Sequence, residues 1–375
     1  MFKYRKNFGK TQKKPTDYTI AILAIVLSVF GVLMVASATK GGDTSYVTKQ
    51  SFAVFLGICF MFILSFVNYE IFLNVKLCIV LYLTSLTILI LTLFIGVGEG
   101  NQSWIQLKGL ALNIQPSEIA KIIFIITFSK HLDSVKGKIN NIKNVMLLML
   151  HAGVIIGLVM LQGDLGSALV FIFISVVMCF TQGLSIWYLL GGSAAIVLAA
   201  PYLWKFLKPY QQMRILVGFN PESDPLGYGF QQILSKDAIA SGSVLGKGYM
   251  QSTVSNTIPY NHTDMIFSVI AEELGILGVL FLILMLTLLI IKITKTAFVA
   301  RKDIGSTICS GVIAMIIAQT VENIGMSLGV LPIIGITLPF VSYGGSSILS
   351  LYFSLGVILS VNRYRSKYFF EREPT

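Results

Sequence analysis

Charged side chains are scarce in this chain, and their scarcity excludes an ordinary soluble domain. Only 12% of the 375 residues are charged and 55% are hydrophobic, whereas soluble domains carry about 25% charged residues. Long apolar runs recur from end to end, unlike the alternating segments of about ten residues that are typical of outer-membrane barrels. The composition therefore predicts an all-α polytopic membrane protein.

Cysteine and histidine are also rare, which argues against several kinds of site. None of the four cysteines forms a CxxC pair, so neither a metal site nor a disulfide framework is indicated. The glycine-rich stretch at 242–248 lacks the GxxxxGK[ST] spacing of a nucleotide-binding loop. The net charge of +11 does not come from one basic patch. We therefore predict no organic cofactor and no nucleic-acid partner.

Ten apolar runs are each close to the ~20 residues that cross a bilayer core. They lie at 17–38, 50–68, 75–96, 116–132, 144–161, 164–182, 185–204, 264–292, 304–330 and 343–362. The first run follows a basic head but lacks a clear small-residue cleavage site, so we expect a retained helix and not a signal peptide. An even number of spans places both termini on one side.

The basic residues then give the orientation. If the N-terminus is cytoplasmic, most of the 28 Lys and Arg residues fall on the inner side, as the positive-inside rule requires. We therefore expect a basic cytoplasmic arm at 1–16, a transmembrane domain at 17–362 and a basic cytoplasmic tail at 363–375. A large extracellular loop at 205–263 joins the seventh and eighth spans.

Three segments outside the regular runs are candidates for function. The outer segments 96–115 and 205–263 are long, and long ordered loops are usually functional. The stretch 331–347 is rich in glycine and proline. Such irregular backbone at membrane depth is tolerated only where protein buries it or where it lines a cavity.

Three acidic residues at the eighth span form the most informative pattern. A carboxylate at the centre of a membrane helix costs roughly 2.5–3.5 kcal/mol on insertion scales, so it usually marks function. Asp264 begins the run, where it is either a helix-terminal acid favoured by the macrodipole or a general base beside a desolvated cavity. Glu272 and Glu273 lie about two turns further along. We expect them to make structural hydrogen bonds to other helices.

Other charged residues have both a structural and a functional interpretation. Glu118 and Lys121 are i,i+3 neighbours that can form an ion pair at the start of the fourth span. Arg214 and Lys247 lie in the large outer segment. They either bind phosphate or belong to a solvated basic loop.

Several motifs together resemble one known family, in their order and spacing through nearly the whole membrane region. The motifs are QPSEIAK at 115–121, DLG at 164–166, DPLG at 224–227, HTD at 262–264, AEELG at 271–275, GMSLG at 325–329 and LPFVSYGGSS at 338–347. This set is similar to the SEDS family (shape, elongation, division and sporulation), which includes RodA, FtsW and SpoVE. Ala271 and the short termini resemble RodA most.

The resemblance implies a ten-helix peptidoglycan glycosyltransferase at the outer face of the bacterial cytoplasmic membrane. Such an enzyme polymerises lipid II into glycan strands, either for elongation and cell shape or for division, and releases undecaprenyl pyrophosphate. The residue that matches the family's required aspartate is Asp264, with the proposed role of deprotonating the acceptor sugar. A divalent cation, Mg²⁺ or Mn²⁺, and a class B penicillin-binding protein are the implied cofactor and partner, although no ligand spacing identifies a metal site.

The resemblance also implies cavity residues, namely Glu118, Lys121 and Arg214. The other residues that we expect to bind substrate are Lys247, His262, Thr263 and Ser346. The chain departs from the family pattern where Ser103 replaces a common Arg, Gly163 replaces a Pro and Met265 replaces a Phe. These departures leave the substrate contacts open. A lipid II flippase that uses the same intramembrane charges, or a non-catalytic scaffold for a transpeptidase, remains an alternative.

Overall fold

The computed structural model describes residues 16–40, 43–98, 102–107, 112–205 and 207–365, and this part of the chain is almost entirely helical. The helices are α1 Thr19–Ala38, α2 Ser45–Phe66, α3 Val75–Ile95, α4 Pro116–Ser134, α5 Ile142–Leu161, α6 Leu165–Thr181, α7 Ile186–Trp204, α8 Pro209–Phe219, α9 Phe230–Gly242, α10 Ile266–Phe298, α11 Asp303–Ser327 and α12 Gly345–Arg363. Two short strands, β1 Ile105–Leu107 and β2 Leu112–Ile114, pair antiparallel. Single 3₁₀ turns lie at Tyr69–Leu73, Pro221–Ser223 and Ser255–Thr257.

The predicted class, an all-α polytopic membrane protein, is confirmed. Seven helices of the described part, α1, α2, α3, α5, α10, α11 and α12, are long and apolar enough to cross a membrane. α6 and α7 contain shorter apolar stretches, and α4 carries several charged side chains. Each predicted span thus corresponds to one of these ten helices. The cytoplasmic position of the termini stays a prediction.

The structure corrects three boundaries. The second span begins five residues before the predicted 50, at Ser45, and the eighth extends six residues beyond the predicted 292, to Phe298. The outer segment 205–263 is not simply a loop, because it contains α8 and α9. Sequence hydropathy did not show α8 and α9, since both are short and mix polar with apolar residues.

α11 and α12 form the centre of the bundle. In an 18-residue apolar stretch of each helix, 78% of the residues of α12 and 67% of those of α11 are buried. In α3 only 22% are buried, so most of its side chains face outward. α12 packs mainly against α2, and small residues allow the approach: a Cβ on Gly356 would come 2.9 Å from the Met61 carbonyl oxygen. Small residues at such contacts are typical of membrane helix packing.

The irregular segment 331–344 lies between α11 and α12 and is tied down by side chains from other helices. Gln50 donates to the Ser342 carbonyl at 3.0 Å and accepts from the Gly344 amide at 3.2 Å. Asn323 donates to the Ile336 carbonyl at 2.7 Å. These bonds replace those that a helix would supply. Of the two alternatives, burial by protein or the lining of a cavity, they support burial around residues 336 and 342–344.

α10 is not one straight helix as the sequence suggested, because it breaks at Gly275. This residue has φ +61° and ψ −158°, which is outside helical geometry. The backbone of residues 243–248 lies against the break: the Ile276 amide donates to the Ser243 carbonyl at 3.1 Å, and the Lys247 amide donates to the Glu272 carbonyl at 2.9 Å. The outer segment therefore supplies partners for backbone groups that the break releases.

We predict that Gly275→Ala destabilises the protein by at least about 1–2 kcal/mol, since a Cβ is disfavoured at positive φ. The new atom would also lie 2.5 Å from the Val244 carbonyl oxygen. The matched control is Gly157→Ala in α5, where a Cβ would meet nothing within 4 Å. Thermal unfolding in detergent should show a lower Tm for the first variant only. Equal melting temperatures would contradict the assigned strain.

Candidate active site

Asp264 lies in the turn before α10 and is held there by its backbone. The Asn323 side chain of α11 donates to the Asp264 carbonyl at 2.8 Å while also donating to Ile336. A Cβ on Gly335 would lie 3.5 Å from Asp264 Oδ2, so the irregular segment approaches the carboxylate closely. Gly335 has φ +71°, a conformation that favours glycine. One asparagine thus fixes both the acid and the backbone beside it.

The electrostatic environment of Asp264 suits a base. Burial raises the pKa of Asp264 to about 6, opposed by Arg214 of α8 and reinforced by the negative charge of Asp164. The Thr263 hydroxyl also lowers it slightly. A carboxylate with this pKa is ionised at neutral pH yet accepts a proton more readily than an exposed one, which is what general-base catalysis needs.

Asp164 is a second buried acid of the site. It caps the N-terminus of α6, where its Oδ1 accepts from the Ser167 amide at 2.9 Å. Its Oδ2 accepts from the Gln115 side chain at 2.9 Å. The Gln115 amide in turn donates to the Ser346 hydroxyl at 3.1 Å. Ser346 therefore belongs to the edge of this site through Gln115.

Glu118 and Lys121 form the predicted ion pair. Lys121 Nζ lies 2.8 Å from Glu118 Oε1, and the two side chains are only 0% and 5% exposed. Lys121 also interacts electrostatically with Glu322 of α11, which in turn interacts with Asp164. Glu118, Lys121, Asp164 and Glu322 are thus linked, and Asp164 connects this cluster to Asp264.

Asp164 and Glu322 were not among the site residues predicted from the sequence. Glu322 is 9% exposed and lies within α11, an apolar span. It therefore satisfies the criterion that identified Asp264, namely an acid inside an apolar run. Asp164 was visible only as part of a motif at a span boundary.

His262 and Thr263 lie next to Asp264, but His262 packs mainly against aromatic rings. Its ring centroid is 4.5 Å from that of Tyr46 and 5.6 Å from that of Tyr343. Its carbonyl accepts from the Tyr343 amide at 2.9 Å. Burial lowers the pKa of His262, which keeps the ring neutral at neutral pH. This arrangement connects the irregular segment to the turn that carries Asp264.

The structure places Lys247 with Glu272, apart from the residues around Asp264. Lys247 Nζ lies 2.6 Å from Glu272 Oε1. Glu272 also accepts from the backbone amides of Thr253, Val254 and Ser255, at 3.0, 2.9 and 2.7 Å. The partners of Glu272 lie mainly in residues 247–255, and not in other transmembrane helices as we expected. Lys247 therefore has a structural partner, and this geometry gives no support to a substrate contact.

Glu273 points in another direction and joins α10 to α1. Its Oε1 accepts from the Ser37 hydroxyl at 2.5 Å, and its Oε2 accepts from the Met250 amide at 3.2 Å. The two adjacent glutamates thus attach the outer segment to α10 from two sides. Their arrangement fits the expected structural role.

No preformed metal site accompanies these acids in the described part of the chain. Within it, no group of three or more His, Cys, Asp or Glu side chains is arranged to hold a metal ion. The divalent cation stays a prediction.

Comparison with known proteins identifies the family. A model of cell cycle proteins that covers FtsW, RodA and SpoVE matches residues 17–367. The chain belongs to this family. SEDS membership, which the motifs suggested, is therefore confirmed.

Relatives match this SEDS chain over nearly its whole length. Peptidoglycan glycosyltransferase MrdB of Escherichia coli strain K12 is 33% identical over 93% of this chain and 94% of its own. Stage V sporulation protein E of Bacillus subtilis strain 168 is 34% identical, over 94% and 99%.

Solved structures agree with the fold. A chain from a study of polymerization and crosslinking by a peptidoglycan synthase complex superposes with a TM-score of 0.82 at 34% identity, covering 94% of this chain and 99% of that one. The crystal structure of the Thermus thermophilus rod shape determining protein RodA gives 0.71 at 29% identity, with the same coverage.

We predict that Glu272→Gln lowers the free energy of unfolding by about 2 kcal/mol. Hydrogen bonds to a buried carboxylate are charge-assisted, and the substitution removes both the charge and one acceptor oxygen from the partners of Glu272. The control is Glu222→Gln, since Glu222 is exposed. Thermal unfolding and limited proteolysis of residues 243–257 measure the effect. Unchanged protection of that segment in Glu272→Gln would contradict the role assigned to the carboxylate.

Proposed function

We propose that this protein is a peptidoglycan glycosyltransferase that polymerises lipid II at the outer face of the bacterial cytoplasmic membrane. The observation that carries the proposal is the placement of Asp264, whose pKa is raised to about 6 beside the positive charge of Arg214. The E. coli relative is named a peptidoglycan glycosyltransferase, which supports the same activity here. The sequence relatives do not separate elongation, division and sporulation.

The reaction joins the sugar of one lipid II molecule to that of another. Asp264 takes the proton of the acceptor hydroxyl as its oxygen attacks the anomeric carbon of the donor. The bond from that carbon to the pyrophosphate oxygen breaks, and its electron pair leaves with undecaprenyl pyrophosphate. Asp264 then returns the proton to solvent. A positioned base of this kind contributes about 10²–10⁴-fold to the rate.

The leaving pyrophosphate needs positive charge, which this chain supplies from two elements. Arg214 of α8 interacts with Asp264 itself, and its planar guanidinium is suited to phosphate oxygens. Lys121 of α4 is buried in the adjoining cluster. Mg²⁺ or Mn²⁺ would offset the same charge, although the described residues contain no group of three or more His, Cys, Asp or Glu that could hold it.

The partner that we propose is a class B penicillin-binding protein, a transpeptidase. The match to a chain from a peptidoglycan synthase complex supports this proposal. A polymerase and a transpeptidase at one membrane face would pass the new strand directly between them. We also propose that both termini are cytoplasmic, on the distribution of basic residues.

We predict that Asp264→Asn lowers the rate of lipid II polymerisation at least about 100-fold, since the amide cannot accept the proton. Asp237→Asn is the matched control, because Asp237 is an exposed acid on α9. The assay uses purified protein with its partner transpeptidase and labelled lipid II, with product length read on a gel. Full polymerisation by Asp264→Asn would contradict the role of Asp264 as the base. Transport of lipid II across liposomes without polymer would favour a flippase.

The pH profile provides an independent test. Because the folded-state pKa of Asp264 is about 6, the rate should fall as pH drops through about 6. Arg214 lowers this pKa, so Arg214→Gln should move the acid limb to higher pH as well as weaken substrate binding. An acid limb near pH 4 in both proteins would show that a different, unperturbed group controls the rate.

A further inference from the structure

One face of α11, a helix that packs against α4 among others, carries three buried polar side chains. Gln319, Glu322 and Asn323 are spaced i, i+3 and i+4, so they lie on one side of the helix. Their exposures are 0%, 9% and 0%. Lower on the same helix, a Cβ on Gly311 would come 2.7 Å from the side chain of Ile125 in α4. The two helices are thus in close contact, and the charge of Lys121 on α4 acts on Glu322 of α11.

Several polar atoms at this interface lack a hydrogen-bond partner among the described residues. They are both amide atoms of Gln319, Oε2 of Glu322, Oδ1 of Asn323 and, across on α4, Oε2 of Glu118. Buried polar atoms are nearly always hydrogen-bonded. An apolar side chain at position 322 would avoid this cost, so the buried carboxylate needs an explanation other than packing.

Lys121 provides that explanation. Its ammonium has three donors and lies 2.8 Å from Glu118 Oε1 on its own helix. It also lies within the electrostatic range of Glu322 from α11. The buried ammonium is therefore paired with a carboxylate of its own helix and also feels the charge of a carboxylate on α11.

We propose that Glu322 is a positioning residue that acts through Lys121 to set the affinity of the site for the pyrophosphate of its substrate and product. Glu118 binds the ammonium on α4. Glu322 attracts the ammonium from α11, the helix whose Asn323 holds the backbone of Asp264. This inference rests on the proposed function, because it takes pyrophosphate as the group that Lys121 serves.

The first experiment replaces the charge and keeps the shape. In Glu322→Gln, we expect undecaprenyl pyrophosphate to bind purified protein about 5–10-fold more weakly, as the coupling between neighbouring groups allows. The KM for lipid II should rise by a similar factor while kcat changes less than about threefold, because uniform binding is lost. Glu322→Asp should recover part of the affinity. Tighter binding in Glu322→Gln would overturn the proposal, since the carboxylate would then only repel the ligand.

The second experiment asks whether Glu322 acts through Lys121. Lys121→Met should weaken product binding, and adding Glu322→Gln to it should cause no further loss. Independent, multiplied effects in the double variant would overturn the proposal. Gln319→Leu is the control for packing, because it removes buried polar atoms from the same helix face without removing charge. If it reproduced the effect of Glu322→Gln, the charge would not be the cause.

The outcomes separate this inference from the proposed function. All variants are first compared with wild type by size-exclusion chromatography and melting temperature, so that a folding defect is recognised. If Glu322→Gln does not fold, Glu322→Asp replaces it in the binding measurement. Wild-type protein that binds undecaprenyl pyrophosphate but forms no glycan with its partner would refute the polymerase. Active wild-type protein whose product affinity does not depend on Glu322 would refute this inference alone.

Discussion

The bundle contains, at 331–344, a stretch of non-helical backbone whose amide and carbonyl groups must be satisfied inside a membrane protein. Each unsatisfied group there costs several kcal/mol. Gln50, Gln232 and Asn323 supply the missing partners, with Gln232 donating to the Leu331 carbonyl at 2.6 Å. Because these side chains come from α2, α9 and α11, the segment fixes the relative positions of helices that are distant in the chain.

This constraint also positions the candidate base. The Asn323 side chain donates one N–H to the Ile336 carbonyl and the other to the Asp264 carbonyl. The acid and the irregular segment are therefore held together by one side chain. On the opposite side, a Cβ on Gly166 would come 2.7 Å from the Ile334 carbonyl oxygen, which places the turn of Asp164 against the same segment. Both acids are therefore positioned by backbone that is not helical, and rigid support of this kind favours catalysis.

The fold was largely predictable, and the site only partly so. Hydropathy located ten helices because long apolar runs report directly on membrane burial. Hydropathy could not locate α8 and α9, because they mix polar and apolar residues. It also could not locate the break in α10 at Gly275, because that break depends on contacts with residues 243–248, which are distant from it in sequence. Asp264 was identified as the first of three acids in an apolar run and by its match to the family's required aspartate. The partnership of Lys247 with Glu272 could not be predicted, since no local spacing brings the two residues together.

The three acids of the 264–273 region illustrate how environment separates residues of one chemical type. Glu272 accepts hydrogen bonds from three backbone amides and an ammonium. These bonds stabilise its charged form. At Asp264, burial outweighs the opposing effects of Arg214 and the Thr263 hydroxyl, so the pKa rises to about 6. The outer segment thus contributes to the active site in an indirect way. By bonding to Glu272 and Glu273 it anchors the start of α10, next to the turn that carries Asp264.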